Sequence, residues 1–143
     1  MIKIRRSALV RYSAEQMFDL VNDVQAYPKR FSWSAGAQVL ASDEQSLTAR
    51  LELRMVGLTQ AFTTRNVLER PERITMNLVE GPFRQLTGIW TFSALGTQGC
   101  KVALSLDFEF SGRLLGSALR LGFQGIADRL VDDFCSEAAR IYA

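Results

Sequence analysis

The strongest constraint in this chain is an alternating strand that runs straight into one long amphipathic helix. Val102, Leu104, Leu106, Phe108 and Phe110 share one parity, and Lys101, Ala103, Ser105, Asp107 and Glu109 take the other. A period of two with one apolar side predicts a strand with one buried face. Ser111-Gly112 breaks the pattern. Leu115, Leu119, Phe123, Ile126, Leu130, Phe134, Ala138 and Ile141 then recur at steps of three or four, an apolar stripe that reaches the C-terminus. At about 1.5 Å per residue such a helix spans a small domain and must lie across a sheet. A sheet facing one long helix makes a groove, and here aliphatic and aromatic side chains line it. The first expectation is a binder of an apolar molecule.

The rest of the chain supplies that sheet. Ile2 to Tyr12 alternates, and Ser13-Ala14-Glu15-Gln16 has capping-box form ahead of a short helix carrying Met17, Phe18, Leu20 and Val21. Val24 to Tyr27 predicts a further turn before Pro28, and Lys29 to Gly36 reads as an aromatic loop with Phe31 and Trp33. Strand-like segments follow over 38–42, 46–56, 59–69, 74–80 and 84–95, punctuated by Asp43-Glu44, Gly57, Pro71-Glu72, Gly81-Pro82 and Gly96. Short turns between neighbouring strands predict antiparallel hairpins. Leu47, Ala49, Leu51, Leu53 and Met55 share a side; so do Ile74, Met76 and Leu78, and Leu86, Gly88, Trp90, Phe92 and Ala94. One face is apolar and the other wet, as in an antiparallel sheet covered on one side.

Composition narrows the chemistry. The 143 residues suit one domain, and a net charge of +2 is too small to imply nucleic acid by itself. There is no histidine, so the residue most used for proton transfer near neutral pH is missing. Cys100 and Cys135 have no metal-type spacing and read as free thiols of a reducing compartment. No signal peptide and no membrane-spanning run is visible, which predicts a cytoplasmic protein. No P-loop, nucleophile elbow or dinucleotide motif is present.

The order of elements, with Ser7-Ala8-Leu9-Val10, Tyr12 to Phe18, Val21-Asn22-Asp23-Val24, Tyr27-Pro28, Gly81-Pro82-Phe83, Leu86-Thr87-Gly88, Trp90-Thr91-Phe92 and Asp107 to Phe110, resembles the START-like family of coenzyme-Q-binding proteins and RatA-type ribosome-association toxins. The resemblance covers essentially the whole chain. It implies an α+β helix-grip (START/Bet v1-like) fold. A curved antiparallel sheet of about seven strands, with two short helices after the first, wraps a long C-terminal helix in a single START-like domain, 1–143. One departure stands out: the family often has Pro-Trp-Cys after the Tyr-Pro loop, whereas this chain has Phe31-Ser32-Trp33-Ser34.

The resemblance implies two functions. The expectation placed first is non-enzymatic binding of a prenylated quinone such as ubiquinone, or a similar lipid, in support of respiration. Tyr27, Phe31, Trp33, Phe62, Met76, Leu78, Phe83, Trp90, Phe108, Leu115, Leu119, Phe123 and Ile126 would line the cavity. Each of these residues, taken singly, reads more readily as core. Bound ubiquinone or lipid is the only cofactor expected, none being required. The crowded apolar start of the long helix would allow peripheral contact with the inner membrane. The alternative is a ribosome-directed toxin that blocks subunit association. Its candidate contacts are Lys3, Arg5 and Arg11 on the first strand, with Arg50, Arg54 and Arg65, a phosphate-contacting set if adjacent strands join them. No DNA partner, metal site or catalytic residue is expected. Arg6 and Glu80 lie on otherwise apolar parities and read as wet strand-end residues. Asp128, Arg129, Asp132, Asp133, Glu137 and Arg140 read as surface charges of the helix, with Arg129 and Asp133 a weak i, i+4 pair. Gly116, Gly122 and Gly125 either let that helix approach the sheet closely or loosen it as a gate.

Overall fold

A computed structural model describes residues 1–55, 57–112 and 116–142. The elements are β1 (Ile2–Val10), α1 (Ala14–Asn22), a 3-10 turn (Val24–Ala26), α2 (Tyr27–Arg30), β2 (Ser34–Ser42), β3 (Ser46–Met55), β4 (Leu58–Glu69), β5 (Arg73–Glu80), β6 (Phe83–Leu95), β7 (Gly99–Phe110) and α3 (Ser117–Tyr142). The strands form one antiparallel sheet in the order β1-β7-β6-β5-β4-β3-β2. Only β1 is displaced from chain order, because the two short helices carry the chain from one sheet edge to the other. The sheet curves around α3, as the helix-grip expectation requires.

Local chemistry sets the boundaries. Ser13 caps α1: its hydroxyl accepts from Gln16 N at 3.1 Å, and the Gln16 side chain accepts from Ser13 N at 2.9 Å. Register shifts occur at Ser34/Gly36 and Val39/Ala41 on β2, at Thr63/Thr64 on β4 and at Phe83/Gln85 on β6. Each adds local bend and twist, which a sheet needs to wrap a helix. The core is the apolar parity of each strand, α1 and one side of α3. Trp90, Phe92, Phe108, Phe134 and Met17 are essentially inaccessible.

Two stretches differ from expectation. The expected turn before Pro28 forms as the 3-10 segment Val24–Ala26, but the chain does not then leave helix: Pro28 sits in the first turn of α2, where a missing N–H costs nothing. The aromatic loop is shorter than expected, because β2 begins at Ser34. Arg54 N donates to Trp33 O at 2.7 Å and holds that strand entry. Phe31 and Trp33 stack with ring centroids 4.9 Å apart and planes within 9°, and both pack with Tyr27, while Phe31 also packs on Phe134 of α3.

The same segment is pinned by charge. Glu137, expected on the wet side of α3, is buried and accepts from Arg140 at 3.1–3.2 Å and from Arg30 of α2 at 3.5 Å. Arg30 also reaches Asp23 at 3.3 Å. Bonds from Arg140 first, then the nearby Arg30 charge, hold the Glu137 carboxyl below its ordinary range. A carboxyl depressed in the folded state stabilises the fold above its unfolded pKa, and that contribution fades as pH falls through the carboxylate range. Glu137→Gln should therefore lower stability at pH 7 by about 1–2 kcal/mol. It should also flatten the acid limb of the stability curve, read by thermal denaturation from pH 3 to 7.

Candidate functional site

Between α3 and the inner face of β3–β7 lies a cavity of about 80 Å³. Its floor is Ala49, Leu51 and Leu53 of β3, Phe62, Thr64 and Asn66 of β4, Met76 of β5, Leu86 and Trp90 of β6 and Leu106 of β7. Its roof is Phe123, Ile126, Ala127, Leu130 and Phe134 of α3, closed at one side by Val24, Tyr27 and Trp33. The cavity exists because side chains there are short or turned aside. Gly88 leaves a gap that Met76 fills, its terminal methyl lying where a Cβ would stand. The polar ends of two wall aromatics point away from the space. Tyr27 Oη donates to the Val21 carbonyl, and Trp33 Nε1 donates to Asp133 Oδ2 at 3.0 Å. Burial, then the Asp23 charge, pushes the Tyr27 phenol well above its ordinary range, so it stays a neutral donor.

Seven of the thirteen residues expected around an apolar ligand line this cavity: Tyr27, Trp33, Phe62, Met76, Trp90, Phe123 and Ile126. Five do not. Phe83 and Phe108 belong to a solid aromatic cluster with Phe110 and Phe123, centroids 4.8–6.2 Å apart, which plugs the end beside the start of α3. Phe31 sits behind Tyr27 and Trp33, Leu119 is packed in the core, and Leu78 lies half-buried beside the β4–β5 bulge. Leu115 falls outside the described residues. Parity assigns a face of the sheet, but depth along the groove decides between lining and plug.

Thr64 and Asn66 were not anticipated. They share the inner parity of β4 with Phe62 and Leu68, the only signal the sequence offers for them. Both are buried, and Thr64 Oγ1 donates to Asn66 Oδ1 at 2.9 Å. They give an otherwise apolar cavity one polar spot.

The helix glycines divide. A Cβ on Gly122 would meet Met55 Sδ at 2.8 Å, a close approach of helix to sheet, whereas nothing lies within 4 Å of one on Gly116 or Gly125. Exposed apolar side chains nearby are Leu121 of α3 and Leu58 of β4. Among the described residues no helix is long and apolar enough to cross a membrane.

The basic candidates separate into two sets. Arg50, Arg54 and Arg65 lie on β3 and β4, while Lys3 and Arg5 lie on β1 and Arg11 just beyond it. Four to five strand spacings, about 19–24 Å, part the sets. Arg50 pairs with Glu52 at 2.5 Å, Arg54 donates to Ser32 O at 3.0 Å, and Arg65 faces the charge of Asp43. On the β1 side Arg5 pairs with Asp107 at 2.7 Å. Lys3 also faces the charge of Asp107, as Arg65 faces that of Asp43. Arg11 and the neighbouring Lys101 have no ion-pair partner among the described residues, so the β1 side keeps positive charge near those two.

Other titratable groups are accounted for elsewhere. Glu80 is exposed at its strand end. Arg6 is not at a strand end; it lies within β1 and reaches across to Asp128 of α3 at 2.8 Å. Asp133 serves Trp33 rather than Arg129, whose Nε donates to Gly125 O at 3.2 Å. Burial raises both cysteine thiols, and no metal-holding cluster occurs among the described residues.

The glycines give a test of how tightly α3 is seated. Gly125→Ala should stabilise by about 1 kcal/mol, since helix propensity is gained and no contact is strained. Gly122→Ala should destabilise by roughly 1–2 kcal/mol as Met55 is displaced. Opposite shifts of melting temperature are expected, and shifts of the same sign would mean α3 is not seated as described.

The polyketide cyclase / dehydrase and lipid transport family matches residues 10–135. The chain is 45% identical over 139 residues to the Ribosome association toxin RatA of Pseudomonas aeruginosa, covering 97% of this chain and 96% of that one. It is 26% identical over 146 residues to the mitochondrial Coenzyme Q-binding protein COQ10 homolog B of Xenopus laevis, covering 99% of this chain but 59% of that one. Among solved structures, the Zhui aromatase/cyclase from Streptomyces sp. R1128 superposes with a TM-score of 0.85 at 17% identity, covering 99% and 96% of the two chains. That likeness is one of fold. With the architecture and the cavity, these matches place the chain in the START-like polyketide cyclase / dehydrase and lipid transport family, to which it belongs.

Proposed function

We propose that this chain acts at the ribosome and opposes the association of its subunits, without catalysis. The observation that carries this reading is the 45% identity, over nearly the full length of both chains, to a protein named Ribosome association toxin RatA. It reverses the order expected from the sequence, where quinone binding came first. Cavity size supports the reversal. At about 80 Å³ the space is roughly half of a ~150 Å³ cavity that accepts benzene, too small for a substituted quinone ring in this conformation. The basic side of β1, with Lys3, Arg11 and Lys101, is the surface offered to phosphate: Arg11 and Lys101 have no ion-pair partner among the described residues, and Lys3 shares Asp107 with Arg5.

A quinone or lipid role is the second reading. The apolar cavity favours it, as does the similarity, over 99% of this chain and 59% of the other, to a protein named for coenzyme Q binding. It requires α3 or the Tyr27–Trp33 segment to move outward. Catalysis has little support in the site, where Thr64, Asn66, Tyr27 and Trp33 are the polar lining and, among the described residues, no carboxylate or thiol joins them.

Induced expression separates the readings. The ribosome reading expects growth arrest and a raised ratio of free subunits to whole ribosomes in sucrose gradients. Lys3→Glu with Arg11→Glu should relieve the effect more than Arg50→Glu with Arg65→Glu. Unchanged gradients at high expression, with impaired respiration on deletion, would overturn it in favour of the quinone reading.

A further inference from the structure

The cavity holds one polar element with no structural need for it. Thr64 and Asn66 stand two residues apart on the inner face of β4 and are 4% and 7% exposed. Their cross-strand neighbours are all apolar: Ala49 and Leu78 for Thr64, Leu47 and Met76 for Asn66. The Thr64 hydroxyl donates to Asn66 Oδ1 at 2.9 Å. That bond occupies the carbonyl end of the amide and fixes its orientation. The Asn66 NH2 group, two donors, is left without a hydrogen-bond partner among the described residues, and Asn66 lines the cavity. The amide faces the cavity, a place where valine or leucine would pack as well without a polar group. A site built to bond a particular group carries this kind of residue.

We propose that the cavity recognises a neutral amphipathic molecule through one hydrogen-bond-acceptor oxygen, a carbonyl above all, received by the Asn66 amide that Thr64 orients. The free group on the protein is a donor, so the ligand group must accept. Neutrality follows from the lining. Among the described residues no Lys, Arg, Asp or Glu lines the cavity, so a carboxylate or ammonium would be desolvated without a counter-charge from them. The rest of the molecule meets Met76, Trp90, Leu106, Phe123 and Ile126, which offer only apolar contact. The volume of about 80 Å³ admits a small fragment, or the acceptor-bearing end of a longer molecule. The acceptor then lies at the buried end, against the sheet, with any tail leading outward past α3. This inference rests on the cavity and not on the ribosome reading, so the two fail separately.

Two small probes of the same shape, acetone and isobutene, test it on the whole chain. Each is titrated into isotopically labelled wild-type, Asn66→Leu and Thr64→Val protein and followed by NMR. Acetone should move the Asn66 side-chain NH2 resonances and bind wild type about ten-fold more tightly than Asn66→Leu, the worth of one good hydrogen bond. Isobutene should bind the two proteins within about two-fold. Thr64→Val should weaken the ketone less than Asn66→Leu does, since the amide survives but loses its orientation. Asn66→Leu should melt modestly lower than wild type, because the Thr64 hydroxyl loses its acceptor, and adding Thr64→Val to the same chain should recover the loss. The proposal is overturned if neither probe enters, if the ketone binds with the Asn66 NH2 signals unmoved, or if Asn66→Leu weakens ketone and hydrocarbon alike. Should Asn66→Leu fail to fold, the wild-type NH2 signals decide the question alone.

Discussion

Everything in this fold depends on the burial of one stripe of α3 against the concave face of the sheet. Phe123, Ile126, Ala127, Val131, Phe134 and Ala138 are each almost fully removed from water there. Neither partner survives without the other. The helix alone exposes that stripe, and the sheet alone exposes Trp90, Phe92, Leu104 and Leu106. The remaining features serve the contact. The bulges bend the sheet to meet a helix, Gly122 lets the helix descend onto Met55, and Glu137 ties α3 to the α2 segment through Arg30.

The same contact explains why a space remains. A helix is straight on the scale of this domain and the sheet is curved, so the two touch well at the ends and less well between. At one end Phe83, Phe108, Phe110 and Phe123 form the aromatic plug, and at the other Tyr27, Phe31, Trp33 and Phe134 form a second one. Between these lies the cavity, with Met76 occupying the gap left by Gly88. Protein interiors rarely tolerate voids, because lining atoms lose their partners. A cavity that also carries a buried Thr-Asn pair is a further departure from efficient packing. Such departures concentrate where a protein has something to bind.

Much of this was legible in the sequence. Alternation over 101–110 and the stripe over 119–141 fixed β7 and α3, because one-sided burial imposes a period. Ser13 and Gln16 announced the start of α1 through capping chemistry. What failed was depth and partnership. Phe108 and Trp90 have equivalent inner parities, yet one is plug and the other lining, since that depends on which helix residue lies opposite. Glu137 read as a surface charge because helix position does not reveal that Arg30 arrives from α2. Arg50 and Lys3 read as members of one set because strand order in space, β1 beside β7, cannot be seen from residues far apart in the chain. Function followed the same rule. Apolar patterning announced a cavity but not its size, and size, with full-length similarity to a protein named for ribosome association, moved the leading reading away from quinone.

The central claim is that a small apolar space persists between α3 and the sheet. Xenon tests it most directly, because it enters dry apolar cavities of this order and needs no chemistry to bind. A crystal of the protein pressurised with xenon should show one strongly occupied site, bounded by Met76, Trp90, Leu106, Phe123 and Ile126, with the surrounding side chains unmoved. Absence of xenon from that position, or α3 side chains found filling it, would contradict the account.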